Sequence, residues 1–208
     1  MNIRDAYDTW ASQYDTVDYK TRDLEGFALR KVLGAVPFDN CLEIGCGTGK
    51  NTVWFVERCS SVTAVDLSEE MLCRAKEKTS SPKVRFLQAD ITKPWPFQND
   101  LFSLVSFSLV LEHIAALEPV FTEAFRSLKS GGYLYLGELH PFKQYTGTKA
   151  RFNTKTGTHI VECYTHHVSE FLQLGKKLGL SIIDVNEYFD GDDSGTVPRI
   201  LTVLFKKP

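Results

Sequence analysis

The stretch LEIGCGTGKN (residues 42–51) places three glycines, Gly45, Gly47 and Gly49, at alternate positions directly after an apolar run. Glycine lets a loop turn sharply and lets a ligand approach the backbone without a Cβ in the way. Asp66 ends the next apolar run of the chain. At the carboxyl edge of an open α/β sheet, an acidic residue in that position can accept hydrogen bonds from both hydroxyls of a ribose. The pattern therefore favours an adenosine-containing ligand.

Two other nucleotide-binding loops are excluded by the spacing of the glycines. A dinucleotide-binding G-x-G-x-x-G loop that starts at Gly45 requires a glycine where Lys50 stands. A Walker loop, G-x-x-x-x-G-K-[ST], requires a glycine in place of Ile44 and a hydroxyl residue in place of Asn51. The adenosine compound predicted for this loop is therefore neither a dinucleotide bound by a G-x-G-x-x-G loop nor a nucleotide bound by a Walker loop.

The spacing that is present, Glu43-x-Gly45-x-Gly47-x-Gly49, resembles the first signature of class I S-adenosylmethionine-dependent methyltransferases. Later segments are similar to further signatures of this family in the same order: Asp66, QADI (88–91), SFSLVLEHI (106–114) and LKSGGYLYLGE (128–138), in which Ser130 replaces the usual proline. The segment YDTWASQYD (7–15) resembles the lid helix of members that act on small molecules. Five ordered signatures at compatible spacing make the resemblance specific, and it extends along most of the chain.

The resemblance implies a role for each matched position. The glycines would line the methionine and the ribose of S-adenosylmethionine, Asp66 would hold the ribose, and Asp90 with Ile91 would contact the adenine. Serines at the end of the fourth strand would lie beside the cofactor, and Tyr14 would cover its sulfonium side. The complete predicted cofactor-binding set is Tyr14, Arg22, Glu43, Gly45, Gly47, Gly49, Asp66, Leu67, Asp90, Ile91, Ser106 and Ser108.

Several members of this set have an equally physical structural explanation. Glu43 either contacts the cofactor or organises the loop, and Asp90 either binds adenine or caps the turn that follows it. Arg22 either pairs with a carboxylate of the cofactor or substrate or is a solvated residue at the start of a helix. Tyr14 belongs to an aromatic stripe at helical spacing, which can simply pack against the core.

Methyl transfer from a sulfonium is an in-line displacement, for which a protein mainly supplies orientation and exclusion of water. A general base is needed only when the acceptor keeps its proton at the working pH. His140, which follows the predicted fifth strand, is the preferred candidate for this base, whereas a structural role is the default for His113. No metal site is expected, because His159, His166 and His167 are poorly spaced for one.

Alternating helical and strand patterns predict the elements that position these residues. Helices are predicted over 2–15, 22–33, 50–58, 69–78 with Ser68 as its cap, 117–128 ending at the Gly131–Gly132 pair, and 168–177. Strands are predicted over 41–45, 61–68, 83–90, 101–108, 133–139, 180–189 and 199–207, with a hairpin over 150–164 that turns near Thr156–Gly157. The expected fold is α/β: a Rossmann-like, seven-stranded, mostly parallel sheet with helices on both faces, an antiparallel last strand and an N-terminal helical lid.

The totals of the chain set the class of protein. The 208 residues, 43% of them hydrophobic, suffice for one domain, with a lid over 1–36, a cofactor-binding core over 37–140, a hairpin cover over 141–165 and C-terminal elements over 166–208. The net charge of −2 shows no footprint for tight nucleic-acid binding. Five scattered cysteines without a C-x-x-C indicate a reducing compartment, and the N-terminus lacks a signal-peptide pattern. A cytoplasmic monomer or homodimer without membrane contact is expected.

Three functions are consistent with these observations. The first is a methyltransferase for a small-molecule acceptor. The second is a methyltransferase for RNA or protein, which the near-neutral charge disfavours in the case of RNA. The third is an S-adenosylmethionine-binding protein without catalysis, since the glycine loop fits binding alone. The sequence SFSL after residue 105 differs from the D/N-P-P-Y/F element of enzymes that methylate DNA amino groups.

Overall fold

The computed structural model of the protein describes residues 2–16, 19–154, 157–191 and 195–208, with the side chains of 152–154 excepted. Seven of the strands in these ranges form one sheet in the order β3-β2-β1-β4-β5-β9-β8, and β6 pairs with β7 apart from it. The strands are β1 (Asn40–Ile44), β2 (Ser61–Asp66), β3 (Val84–Gln88), β4 (Phe102–Ser108), β5 (Leu128–Leu139), β6 (Arg151–Thr154), β7 (Gly157–Ile160), β8 (Ser181–Tyr188) and β9 (Ile200–Lys206).

Helices cover both faces of this sheet, as the alternating sequence pattern predicts. They are α1 (Ile3–Trp10), α2 (Lys20–Leu33), α3 (Lys50–Arg58), α4 (Glu69–Lys78), α5 (Leu117–Ser127), α6 (Pro141–Tyr145) and α7 (Val168–Lys177), with a 3-10 turn over Leu111–His113. None of the helices in the described ranges combines the length and the apolarity that a membrane span requires.

Two apolar clusters fill the space between the sheet and its helices. Leu42 and Ile44 of β1 face one cluster, together with residues of α5 and α7. Cys41 of the same strand faces the other cluster, together with residues of α2, α3 and α4. Because side chains alternate across a strand, Glu43 also points to this second face. Position along the strand then decides which predicted site residues can reach the carboxyl edge of the sheet and which are buried beneath a helix.

The strand order reverses next to β1, whose parallel neighbours are β2 on one side and β4 on the other. Such a reversal opens a crevice beyond the carboxyl ends of the strands, which is where open α/β sheets bind ligands. In the far half of the sheet, β9 runs antiparallel between β5 and the edge strand β8. The predicted antiparallel insertion of the last strand is thus confirmed.

The N-terminal helix is shorter than the sequence pattern predicts. We expected helix over 2–15, but α1 ends at Trp10 and residues 11–16 form turns. Gln13 and Thr16 donate backbone hydrogen bonds to the residues three positions before them, which tightens the chain. Side-chain bonds of Asp15 to Thr48 and Lys78 hold these turns against the rest of the protein.

The fifth strand is longer than predicted, and α5 ends earlier. The helix ends at Ser127 rather than at the glycine pair, and β5 begins at once with Leu128. The register with β4 shifts between Leu128, opposite Phe102, and Tyr133, opposite Leu104. The glycine pair therefore forms an irregularity inside a strand, where the sequence suggested the end of a helix. The predicted hairpin is present as β6 and β7, and Thr156 lies outside the described residues.

Candidate functional site

A cavity of about 520 Å³ lies at the carboxyl ends of β1 to β4 and is covered by α1. Its size is in the ~300–1,000 Å³ range of sites for small molecules. The lining comes from four strand ends and from the N-terminal segment: Gly45, Gly47, Val65, Asp66, Leu67, Ala89, Asp90, Ile91, Thr92, Ser108, Leu109, Val110, Asn2, Ile3, Arg4, Asp5, Tyr7, Tyr14, Met71, His113 and Ile114. The cavity therefore occupies the crevice that the strand order creates.

The glycine loop forms one wall of this cavity. Gly47 has a φ of +52° and a Cβ built on it would meet no atom within 4 Å, so its backbone is bare toward open space. A Cβ on Gly45 would approach the side chain of Val110 to 2.8 Å, because the loop packs closely against the segment after β4. The two glycines thus serve different purposes: Gly45 allows the loops to meet, and Gly47 leaves room for a ligand.

Asp66 stands at the end of β2 and joins the glycine loop to the start of α4. Its Oδ2 accepts a hydrogen bond of 2.8 Å from the Gly47 N–H, and its Oδ1 accepts one of 2.9 Å from the Ser68 N–H. Burial raises the pKa of Asp66, although the backbone N–H bonds oppose this rise. A carboxylate oxygen has more than one lone pair, so both oxygens can still accept from a ligand hydroxyl.

Asp90 and Ile91 line the cavity beyond β3. Asp90 Oδ1 accepts from the Thr92 N–H at 2.9 Å and from the Thr92 hydroxyl at 2.6 Å, so it caps the turn as one interpretation expected. Burial opposes ionisation of Asp90, but these bonds and nearby Lys93 and Arg4 bring its pKa below the usual value. Its Oδ2 accepts nothing from the residues that the structure describes. Capping and ligand contact are therefore compatible.

The N-terminal segment closes the cavity from above. Asp8 of α1 accepts hydrogen bonds from the Ser68 hydroxyl and the Glu70 N–H at the start of α4. Asp15 accepts a bond of 2.8 Å from the Thr48 hydroxyl beside the glycine loop and pairs with Lys78 at 2.7 Å. Tyr14, between these two attachments, lines the cavity. Roof and floor are thus joined through polar side chains.

Glu43 and Ser106 do not line the cavity, since each lies inside its strand, before the carboxyl end that borders the cavity. They are opposite each other in the β1–β4 register and are almost completely buried. Thr52 of α3 donates a hydrogen bond of 2.6 Å to Glu43 Oε2. Burial raises the pKa of Glu43 to about 8, because this single bond compensates only part of the lost hydration. Glu43 thus ties α3 to β1, and its direct contact with a cofactor stays a prediction.

Ser108, at the end of β4, reaches the cavity that Ser106 does not. Its buried Oγ has no hydrogen bond of standard geometry with the described residues. It nevertheless faces Glu25 and lowers the pKa of that carboxyl. Burial has the larger effect on Glu25, whose pKa rises to about 7. A buried hydroxyl without a full partner at the rim of a cavity is suited to bind a ligand.

Three other predicted cofactor-binding residues differ in whether they line the cavity: Arg22, Gly49 and Leu67. Leu67 lines the cavity after β2, whereas Gly49 lies below it as the residue that begins α3, with a φ of +80°. Arg22 lies behind Tyr14: it donates to the Tyr14 carbonyl and its guanidinium is 5.5 Å from the centre of the Tyr14 ring. It supports a cavity residue and does not itself line the cavity.

His140 is fully buried and lies outside the cavity lining. Its Nδ1 accepts from the Phe142 N–H at 3.1 Å, where it caps α6, so Nε2 carries the proton and donates to Glu187 at 2.9 Å. Burial lowers its pKa, although Glu187 acts in the opposite direction. Its assignment as a general base stays a prediction.

The face of α1 that lines the cavity, including Ile3, Arg4 and Tyr7, was not among the predicted site residues. Their helical spacing of three and four residues was a usable signal. His113, for which a structural role was the default although it lies near the reaction edge, also lines the cavity. Glu112, His113 and Cys163 each bring one possible metal ligand within 4.8 Å of one another, but both ring nitrogens of His113 already have partners.

Comparison with known proteins agrees with this geometry. A family described as "Methyltransferase domain" matches residues 42–136, from β1 into β5. Malonyl-[acyl-carrier protein] O-methyltransferase of Salmonella typhimurium is 31% identical over 130 residues, 62% of this chain and 50% of that protein. Demethylmenaquinone methyltransferase of Leptospira interrogans is 37% identical over 100 residues, 44% of this chain and 39% of that protein. The chain thus spans about half or less of the length of these relatives.

The crystal structure of a putative S-adenosylmethionine-dependent methyltransferase from Listeria monocytogenes is similar over almost its whole length. The two chains are 26% identical, the match covers 89% of this chain and 99% of the other, and the TM-score is 0.77. Fold, site and sequence agree in supporting a class I S-adenosylmethionine-dependent methyltransferase. The cofactor of the family is S-adenosylmethionine, and the bare backbone at Gly47 leaves room for such a ligand.

Proposed function

We propose that the protein transfers the methyl group of S-adenosylmethionine to a small-molecule acceptor by in-line displacement. The observation that carries the proposal is one cavity in which the glycine loop, Asp66 and Asp90 face a roof formed by α1 and Tyr14. When bound, the cofactor supplies an activated methyl group with a good leaving group. The task of this chain is then to orient two reactants and to exclude water.

Each part of the cavity suits one part of the cofactor in this proposal. Gly45 and Gly47 accommodate the methionine and the ribose, and Asp66 accepts hydrogen bonds from the ribose hydroxyls while it holds the loop. The free Oδ2 of Asp90 and the backbone of Ile91 bind the adenine. Tyr14 covers the sulfonium side, where its ring excludes water from the reacting carbon.

A small acceptor is favoured over a macromolecule by the closed roof. Asp8 and Asp15 attach the N-terminal segment to α4 and to the glycine loop, so the cavity has a lid over it rather than an open groove. The names of two relatives also mention a malonyl group on acyl-carrier protein and the small molecule demethylmenaquinone. The net charge of −2 gives no support for an RNA partner.

The decisive experiment is transfer of isotope-labelled methyl groups from S-adenosylmethionine to a filtered cell extract, with identification of the labelled product by mass. We expect a labelled product below about 1 kDa, in line with a drug-sized cavity. Label in RNA or protein would favour a macromolecular acceptor. Binding of the cofactor without any labelled product would indicate a non-catalytic binding protein.

A variant of Asp66 connects this turnover to the cavity. Asp66→Ala should weaken the binding of S-adenosylmethionine by about 1–3 kcal/mol, because it removes hydrogen bonds to a charged group. Calorimetric titration measures the affinity, and Asp39→Ala, which removes an exposed carboxylate bonded to Ser60, is the matched control. Unchanged affinity in the Asp66 variant would remove this residue from the proposed site.

A further inference from the structure

The cavity contains a tyrosine–histidine pair to which the proposed cofactor contacts assign no role. The Tyr7 hydroxyl is 2.7 Å from His113 Nε2, and the two rings meet edge to face at 5.3 Å between centroids. Tyr7 comes from α1 in the roof, and His113 ends the 3-10 turn after β4. Both side chains line the cavity, so the pair is located where an acceptor molecule would approach the cofactor.

The direction of this hydrogen bond follows from the second nitrogen of the ring. His113 Nδ1 is 2.8 Å from the carbonyl oxygen of Glu162, and a carbonyl can only accept. Nδ1 therefore carries the proton of the neutral ring, and Nε2 offers a lone pair. Tyr7 must then be the donor, so its hydroxyl gives its proton to His113 and keeps its own lone pairs available.

The surroundings keep the pair in this state. Burial raises the pKa of Tyr7 well above its usual range, and nearby Tyr14 and Glu112 add to this effect, so the hydroxyl stays protonated. Burial also raises the pKa of the Cys163 thiol to about 12, so the sulfur 3.9 Å from Nδ1 stays neutral.

A carboxylate is close to the nitrogen that would become protonated. Glu112 is 8% exposed and its Oε1 is 3.9 Å from His113 Nε2. A carboxylate at that distance can balance the positive charge that the ring acquires when it takes up a proton. The described groups that titrate around His113 are Glu112 on the same turn, Tyr7, Tyr14 and Tyr19 from the N-terminal segment, and Cys163 after β7.

We propose that Tyr7 and His113 form a proton relay for the methyl acceptor, which is therefore a neutral hydroxyl compound or a carbon acid. The inference rests on the proposed function, which it extends to the chemical class of the acceptor. A carboxylate acceptor has no proton to lose and would need no such pair. The assignment replaces His140 as the base, since His140 is outside the cavity lining and both of its nitrogens have other partners.

The proton and electron balance of the step is complete. The acceptor proton moves to the Tyr7 oxygen while the Tyr7 proton moves to His113 Nε2. The electron pair left on the acceptor atom forms the bond to the methyl carbon, and the pair of the broken carbon–sulfur bond stays with sulfur. His113 leaves the step as an imidazolium next to Glu112 and later gives its proton to water.

The test uses Tyr7→Phe and His113→Gln in the full chain, with labelled S-adenosylmethionine and the same filtered metabolite extract as probe. We expect the rate of product formation near neutral pH to fall by about 100-fold or more, the usual scale of general-base catalysis. The affinity for S-adenosylhomocysteine should change less than about threefold, because neither side chain is assigned to the cofactor. His167→Gln, an exposed histidine bonded to Tyr145, is the matched control.

The pH profile separates a relay from a purely structural contact. The wild-type rate should level off as the pH rises, whereas the rate of both variants should keep rising with pH as the acceptor ionises in solution. Parallel profiles for wild type and variants would overturn the relay and leave the proposed function intact. A loss of activity on His140→Ala with no effect of His113→Gln would restore His140 and also overturn it.

Two further measurements hold even where a variant fails to fold. Nitrogen NMR of the wild-type side chains should show His113 with its proton on Nδ1, and a proton on Nε2 in the neutral ring would overturn the relay. The labelled product should carry its methyl group on a former hydroxyl oxygen or carbon. A methyl ester of a carboxylate would refute the acceptor class, whereas wild-type protein without any product would refute the proposed function together with the relay.

Discussion

Single residues of this protein show how burial and hydrogen-bond donors set the protonation state of a carboxyl group. Glu43 and Asp66 lie on neighbouring strands, but Asp66 ends its strand at the cavity with two backbone N–H donors, whereas Glu43 lies under α3 with one hydroxyl donor. Burial raises the pKa of both, and that of Glu43 reaches about 8. A carboxyl group that is largely neutral at neutral pH has consequences for stability that can be measured.

Glu43→Gln should make the stability of the protein less dependent on pH. With a pKa of about 8 against an ordinary 4.5, folded Glu43 holds a proton that the unfolded chain releases between these values. The contribution of this group to the free energy of unfolding is therefore complete below the lower pKa and decreases as the pH rises to the upper one. Glutamine can still accept from Thr52 but does not titrate.

Urea denaturation at about pH 5 and about pH 8 measures this effect, which is worth at most about 1.4 kcal/mol for each pH unit of the window. We expect a shallower decline in the variant than in the wild type, though not a flat one, since Glu25 also has a raised pKa of about 7. Glu57→Gln on the exposed side of α3 should keep the wild-type decline. An equal decline in the Glu43 variant would show that Glu43 is already ionised in the folded protein.

At the scale of elements, local signals fixed the helices that the sequence predicts well. The predicted bounds of α3 and α7 are those of the structure, and Ser68 caps α4 through the Met71 N–H as expected. These helix boundaries depend on residues that are close in the chain, so the sequence pattern predicts them. The end of α1 depends instead on contacts of Asp15 with Thr48 and Lys78, which are distant in the sequence.

The same distinction applies to the candidate site. Gly47, Asp66 and Asp90 follow the ends of predicted strands, so their meeting at one edge could be inferred from topology. Ser106 lies two residues before the end of β4 and cannot reach that edge. A strand end predicted from sequence has an error of about two residues, so the sequence could not separate Ser106 from Ser108. The contact of Tyr7 with His113 joins residues 106 positions apart, and periodicity cannot indicate such a pair.

The roof element leads to a prediction of its own. An eight-residue helix such as α1 is not stable in isolation, so its position depends on tertiary contacts. Asp8→Ala removes the bonds to the Ser68 hydroxyl and the Glu70 N–H, while Ser68 keeps its cap on α4. Amide hydrogen exchange of α1 should accelerate, and the affinity for S-adenosylhomocysteine should fall by about fivefold, equivalent to about 1 kcal/mol.

Thr9→Ala is a suitable control for the roof, since the Thr9 hydroxyl bonds only within α1 to the Asp5 carbonyl among the described residues. It should leave both exchange and affinity near the wild-type values. Should Asp8→Ala leave the exchange of α1 unchanged, the aromatic packing of Tyr7, Trp10 and Tyr14 would be sufficient to hold the roof, and Asp8 would have no role in closure.

At the scale of the whole molecule, the sheet is divided between β4 and β5. The strands β3, β2, β1 and β4 supply the cavity, whereas β5, β9 and β8 extend the core on the other side. Because α1 packs against α4 beside the cavity, a ligand in the cavity should order that half of the sheet more than the other. The sequence alone could suggest that one half of the sheet binds the ligand. Only the strand register and the contacts of α1 show which segments belong to that half.

S-Adenosylhomocysteine should therefore stabilise the protein in a localised pattern. At a concentration about 100 times its dissociation constant, a ligand of the native state adds about 2.7 kcal/mol to the free energy of unfolding, which a rise in Tm reports. In hydrogen exchange, added protection beyond this global term should concentrate in α1, the glycine loop and the turns after β2 and β3, and should be weak in the hairpin β6–β7. A nicotinamide dinucleotide should produce neither effect, because the third glycine of its loop is replaced by Lys50. Stabilisation by the dinucleotide instead, or ligand protection centred on the hairpin, would contradict the location of the site at the carboxyl ends of β1 to β4.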